Sequence, residues 1–180
     1  MCSSDLVKVI TWDADTPADA RDFFVNQATE QEIGYALVDA LAADIGGSPP
    51  SGEVAIIAAD PSAANQNAWM KHMKARLAEE YPRLKLVDVK FPGEDQKKAQ
   101  QQTRDLLAAY KDLKGIWGIS SVSFPAAAEA VLQAGAAGKV YVTGLSTPNV
   151  MRKYVVPEDP GQPAVVKSVV LWNTEDFWHL

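Results

Sequence analysis

The stretch Glu53 to Asp60, EVAIIAAD, constrains this chain more than any other. It is short, apolar without alternation and bounded by turn-forming residues. A strand of this kind must be buried on both faces, and that occurs almost only in parallel sheets covered by helices on each side. Similar runs recur along the chain. LKLVDV, GIWGI and KVYVTGL each read as a strand, and so do VKVIT, DFFVNQ and VVKSVVLW. Between them lie helical periods. Thr29 and Glu32 form a capping box in front of the stripe Ile33, Leu37, Ala40 and Leu41, and Gly46 and Gly47 end that helix. Trp69, Met73 and Leu77 stripe a second helix from about Ala64 to Tyr81. Ala99, Thr103, Leu106, Leu107 and Tyr110 stripe a third. Pro125 suits the first turn of a fourth helix ending near Gly135, and Thr147 can cap a short fifth through Tyr154.

Strands alternating with helices of this length predict an α/β fold, a parallel sheet with helices on both faces and right-handed crossovers. The expected core strands are Val54 to Ala58, Leu84 to Val89, Ile116 to Ile119 and Val140 to Thr143. With 180 residues, 47% of them apolar, the chain can bury a core of one domain or slightly more. A net charge of -6 argues against nucleic acid or an anionic membrane surface as the main partner. No apolar run is long enough for membrane insertion as a helix.

In such sheets ligands bind beyond the carboxyl ends of the strands. The loops expected there are TWDADTP, AADPSAANQN, GISSVSFP and GLSTPN. They hold carboxylates, amides, hydroxyls and an indole, with almost no cations. That is a chemistry for neutral polyols. A carboxylate accepts hydrogen bonds from two vicinal hydroxyls, an amide donates and accepts as a hydroxyl does, and an indole can cover the C–H face of a sugar ring. Trp12, Asp13 and Asp15 would then form one wall of a sugar site, with Asn65, Gln66 and Ser146 from the other loops.

Each residue also has a structural reading. Asp13 and Asp15 can be turn formers before Pro17, Trp12 can be core, Asn65 and Gln66 can cap a helix, and Ser146 and Thr147 can do the same. Catalysis has less support. His72 and His179 lie on a helix face and at the chain end, away from these loops. Asp13 and Asp15 lack a further metal ligand, and Cys2 has no cysteine partner. Phosphate-cradling glycine motifs and a nucleophile elbow are missing. No enzyme activity, cofactor or metal is expected.

Several stretches in combination resemble the periplasmic sugar-binding proteins of ABC importers: TWDADT, FVNQAT, AANQNAW, FPAAAEAV and GLSTPNVMRKYV. The likeness is strongest to the rhamnose-binding and autoinducer-2-binding branch with the type I fold, and it runs from Val7 onward. It implies two α/β lobes closing on a sugar, a permease as partner and a periplasmic location. Residues 7–27 would be the end of the N-terminal lobe with the first hinge crossing. Residues 28–171 would be the C-terminal lobe, and 172–180 the return toward the first lobe. Residues 1–6 read as a non-native scar. The resemblance carries ligand contacts to Asp13, with Asp15 close by, and to Asn65, Gln66, Pro125 and Ala127. Autoinducer-2 receptors generally carry an acid where this chain has Asn65, so the likeness favours a rhamnose-like deoxysugar. It also implies that Ile10, Phe23, Phe24, Phe177 and Trp178 are poorly covered in this chain alone. The effector domain of a transcription regulator of the same fold is the alternative.

Overall fold

A computed structural model describes residues 7–12, 15–25, 28–157 and 159–171, with Trp12 described by its backbone alone. Two short strands open it, β1 (Ile10–Trp12) and β2 (Phe23–Val25). They pair in parallel, Ile10 opposite Phe23 and Trp12 opposite Val25, in a sheet of their own. The rest alternates: α1 (Glu30–Ile45), β3 (Gly52–Ile57), α2 (Ala64–Glu80), β4 (Leu84–Lys90), α3 (Gln96–Ala109), β5 (Leu113–Gly118), α4 (Ser123–Gln133), β6 (Tyr141–Gly144) and α5 (Pro148–Val155).

The four later strands form one parallel sheet in the order β4-β3-β5-β6. Alternate residues of β3 serve two cores. Ala55 and Ile57 pack with α3, α4 and α5 through Ala99, Leu106, Ala127, Val131 and Met151. Val54 and Ile56, with Ala58 just beyond, pack with α1 and α2 through Leu37, Leu41, Trp69 and Met73. Both faces of the central strand are therefore dry, as its continuous apolar sequence demands. Trp117 reaches the second core from β5, and its indole N–H donates to the Leu37 carbonyl oxygen at 2.8 Å. That bond removes the cost of burying a lone donor.

The caps follow local chemistry. In α1, the Thr29 hydroxyl accepts from the Glu32 N–H at 3.2 Å, and the Glu32 carboxylate accepts from the Thr29 N–H at 2.9 Å. Asp95 caps α3 by accepting from the N–H groups of Lys97 and Lys98. Asn65 and Gln66 lie inside the first turn of α2, whose N-cap is Ala63. Thr147 holds the N-cap position of α5, but its side chain makes no capping bond.

The expected last strand, VVKSVVLW, does not form within its described residues. Only a parallel bridge between Leu145 and Val170 joins this segment to β6 as sheet. The Val142 N–H donates to the Val165 carbonyl and the Val170 N–H to the Gly144 carbonyl. Between those bonds the segment is longer than the part of β6 that it faces, so it bulges. The bulge is tied to the end of α1: Ser168 Oγ donates to Asp44 Oδ1 at 2.7 Å, and Lys167 Nζ to the Asp44 carbonyl at 2.8 Å.

The apolar groups near the chain start are uncovered as expected for Ile10, 63% exposed, and Phe23, 67% exposed. Phe24 is half-buried, with the Arg21 guanidinium 5.5 Å from its ring centre. Phe177 and Trp178 lie outside the described residues.

Candidate functional site

Three of the four loops meet at the carboxyl ends of β3, β5 and β6. They approach closely because Gly118 and Gly144 end their strands. A Cβ on Gly144 would collide with the Gly118 carbonyl oxygen, and one on Gly118 with the backbone of Phe124. Strand ends and the start of α4 can therefore pack backbone against backbone. The Ser123 hydroxyl reinforces the corner. It donates to the Ile57 carbonyl at 2.9 Å and accepts from the Ser120 N–H at 3.0 Å, while Ser120 Oγ accepts from the Ser123 N–H.

A cavity of about 400 Å³ opens above this corner. The first turns of α2 supply Gln66 and Trp69. The loop after β4 supplies Glu94, and that after β5 supplies Ile119, Ser120 and Ser121. Leu145, Ser146 and Thr147 come from the loop after β6, Val150 from α5, and Leu171 from the return segment. The lining has no Lys or Arg among the described residues. Gln66 is buried, and its Oε1 accepts from the Ala59 N–H at 2.7 Å. The backbone amide can only donate, so the oxygen of the side-chain amide must face it. The NH₂ group is left for another partner.

The expected site residues divide. Gln66 and Ser146 line the cavity. Asn65 is half-buried beside it, its Oδ1 accepting from the Gln66 N–H at 2.8 Å, and it is not part of the lining. Pro125 is half-buried in the first turn of α4 and also lies outside the lining. Ala127 has no exposed surface and belongs to the core on the α4 face of the sheet. Asp13 lies outside the described residues, and for Trp12 only the strand backbone is described. Asp15 is engaged by Arg21, a cation just beyond the TWDADTP loop. Arg21 donates through Nε to Oδ1 and through Nη2 to Oδ2 at 2.7 Å, and Thr11 Oγ1 and the Thr16 N–H also donate to Oδ1. The Arg21 hydrogen bonds, ahead of those from Thr11 and Thr16, hold the Asp15 carboxyl below the usual carboxylate range.

Trp69, Glu94, Ser120, Ser121 and Thr147 also line the cavity, with the apolar Ile119, Leu145, Val150 and Leu171, and none of these is an expected ligand contact. Trp69 reads as core by its stripe, and it is 6% exposed. It sits three residues after Gln66, a spacing that puts both on one helix face, and this was the available signal. Ser121 and Thr147 lie in loops that sequence reasoning did assign to this edge. Glu94 belongs to the loop after β4, which carried no motif.

A larger groove, about 700 Å³, lies at the opposite end of the sheet, with Lys111, Lys114 and Lys139 in its lining. The C-terminal ends of α1, α3 and α4 point there, and lysines are what exposed helix carbonyls attract. The cavity at the carboxyl edge is the better ligand site because loops from several strands converge on it.

The arrangement can hold a neutral, hydroxyl-bearing ring. Serine and threonine hydroxyls and an amide can both donate and accept, one carboxylate accepts, and Trp69, Ile119 and Leu145 offer apolar surface.

Residues 2–177 match the family described as periplasmic binding protein domain. Among solved structures, an ABC transporter solute-binding protein from Clostridium phytofermentas with bound L-rhamnose is 36% identical, with a TM-score of 0.81 over 93% of this chain and 50% of that one. A sugar ABC transporter protein from Actinomyces odontolyticus is 37% identical, with a TM-score of 0.77 over 92% of this chain and 51% of that one. LsrB from Clostridium saccharobutylicum in complex with AI-2 is 26% identical, with a TM-score of 0.76 over 82% of this chain and 48% of that one. The chain thus spans about half the length of these proteins.

Proposed function

The chain belongs to the periplasmic binding protein domain family, with the type I α/β fold of sugar ABC transporter solute-binding proteins, and from that premise we propose that residues 28–171 are the C-terminal lobe of a sugar receptor, with residues 7–27 the end of its N-terminal lobe and first hinge crossing and residues 172–180 the return toward that lobe. The receptor captures a rhamnose-like deoxysugar outside the cytoplasmic membrane, in the periplasm, and delivers it to an ABC permease without altering it. One observation carries this reading. The cavity at the carboxyl edge combines Gln66, Ser121, Ser146 and Thr147 with the Trp69 indole and contains no cation among the described residues.

The opposing wall comes from the other lobe, with Trp12 and Asp13 contributing at the hinge and Asp15 holding that turn through Arg21. Asn65 and Pro125, both half-buried, complete the proposed set as the lobes close, while Ala127, enclosed in the core, backs that wall from behind. Asn65, in place of the acid of autoinducer-2 receptors, favours rhamnose over that ligand, and the L-rhamnose complex at 36% identity supports the same choice.

Calorimetric titration of the protein at its full natural length with L-rhamnose, autoinducer-2 and neutral hexoses tests the proposal. A rhamnose-like sugar should bind best. The 180-residue chain alone should bind it weakly or not at all, since closure needs two walls. Binding of none of these sugars by the full-length protein would overturn the reading.

A further inference from the structure

The sugar-receptor reading leaves open what makes the cavity selective, and its lining contains one charged group among the described residues, Glu94. This residue is exposed, and no hydrogen bond or ion pair joins it to the other described residues. Its neighbour Asp95 is spent on the first turn of α3, where it accepts from two backbone N–H groups. Glu94 is thus not the helix cap.

The loop that carries it is held in place. Pro92 is buried, and Gly93 adopts a φ of 71°, a conformation that favours glycine. The Gly93 N–H donates to the Ala59 carbonyl at 2.8 Å. The N–H of the same Ala59 is the donor held by Gln66. One residue at the end of β3 therefore fixes both the amide of Gln66 and the loop that presents Glu94.

We infer that Glu94 sets the specificity of this cavity, accepting hydrogen bonds from the hydroxyls of an uncharged sugar and turning away sugars that carry a carboxylate or phosphate. The inference rests on the sugar-receptor reading and names the substrate class of that same site. The hydroxyls of Ser121, Ser146 and Thr147 can each donate or accept, so they do not distinguish an alcohol from an acid. A carboxylate only accepts. It gains from the O–H groups of a polyol and meets an anionic sugar with acceptor against acceptor and like charge against like. The absence of Lys and Arg from the described lining leaves nothing there to offset that repulsion.

The test is calorimetric titration of the full-length protein, wild type and Glu94→Gln, with L-rhamnose and with L-rhamnonate, its carboxylate-bearing counterpart. An exposed Glu replaced by Gln should leave the melting temperature unchanged. The variant should bind rhamnose about tenfold more weakly, the loss of a charge-assisted bond. It should bind rhamnonate about fivefold more tightly, the effect of removing a unit repulsion at about 4 Å in water. Unchanged binding of both ligands by the variant would overturn the role of Glu94 and leave the receptor reading intact. Wild-type preference for rhamnonate would do the same. Binding of neither rhamnose nor any other neutral sugar by the wild type would overturn the receptor reading, and the selectivity argument with it.

Discussion

Replacing Gln66 by Ala tests whether one side chain both builds the site and serves it. Gln66 is 8% exposed and Ala59 is 5% exposed, so their bond, Ala59 N–H to Gln66 Oε1 at 2.7 Å, is made largely out of water. Losing the bond costs about 1 kcal/mol, and an orphaned buried N–H raises that toward 3 kcal/mol. The cavity beside it can admit water, which moderates the second contribution, so about 2 kcal/mol is expected. The measurement is urea unfolding at low protein concentration, followed by tryptophan fluorescence. Trp117 is fully buried and hydrogen-bonded, so its emission should shift on unfolding. The midpoint should fall with little change in slope. Wild type and Gln66→Ala should also be titrated with rhamnose at full length, where loss of the free amide donors should weaken binding at least tenfold. A stability loss under about 0.5 kcal/mol would refute the reasoning, because the Ala59 N–H would then have another partner.

Gly144→Ala should cost about 3 kcal/mol, the upper end of overpacking, because the new Cβ meets the backbone of β5 rather than a movable side chain. Gly161→Ala, where a Cβ finds ordinary space, should change the urea midpoint by under about 0.5 kcal/mol and serves as control. Glu129 accepts from Lys153 Nζ at 2.9 Å, Tyr154 Oη at 2.8 Å and Gln133 Nε2 at 2.8 Å, and Lys153, the largest influence, holds its carboxyl below the usual range. A depressed folded value means that this stabilisation is complete above the unfolded pKa, about 4.3, and fades as pH falls through the folded one. Lys153 is largely exposed, so Glu129→Gln should cost roughly 1 kcal/mol near neutral pH and flatten the acid limb of a stability-versus-pH curve. A parallel shift at all pH values would assign the effect to packing instead. Exposed Val7, Ile10 and Phe23 should make the 180-residue chain self-associate, and Ile10→Lys with Phe23→Lys should lower its sedimentation-average mass. An unchanged mass would place the contact elsewhere.

Much of the fold was legible because it depends on neighbours in sequence. EVAIIAAD could be satisfied only by a strand with two dry faces, and helices had to supply them. Thr29 and Glu32 lie within one turn, so their capping box needs no distant partner. That the loops after β3, β5 and β6 share an edge follows from parallel strands joined by helices, and this placed Gln66 and Ser146 at a common cavity. What the tertiary structure alone decided involves atoms brought together from afar. Arg21 claims Asp15 because the β1–β2 connection folds back on itself. Trp69 is at once core and cavity wall, and periodicity assigns a residue only to a face. Glu94 enters the cavity because Gly93 is bonded to Ala59, more than thirty residues earlier. VVKSVVLW has the composition of a strand, yet Asp44 at the end of α1 draws Ser168 and Lys167 aside and the ladder is lost. Local periodicity determines which side of an element is dry. Which polar atoms meet across elements depends on the packed distances between them, and composition does not encode those.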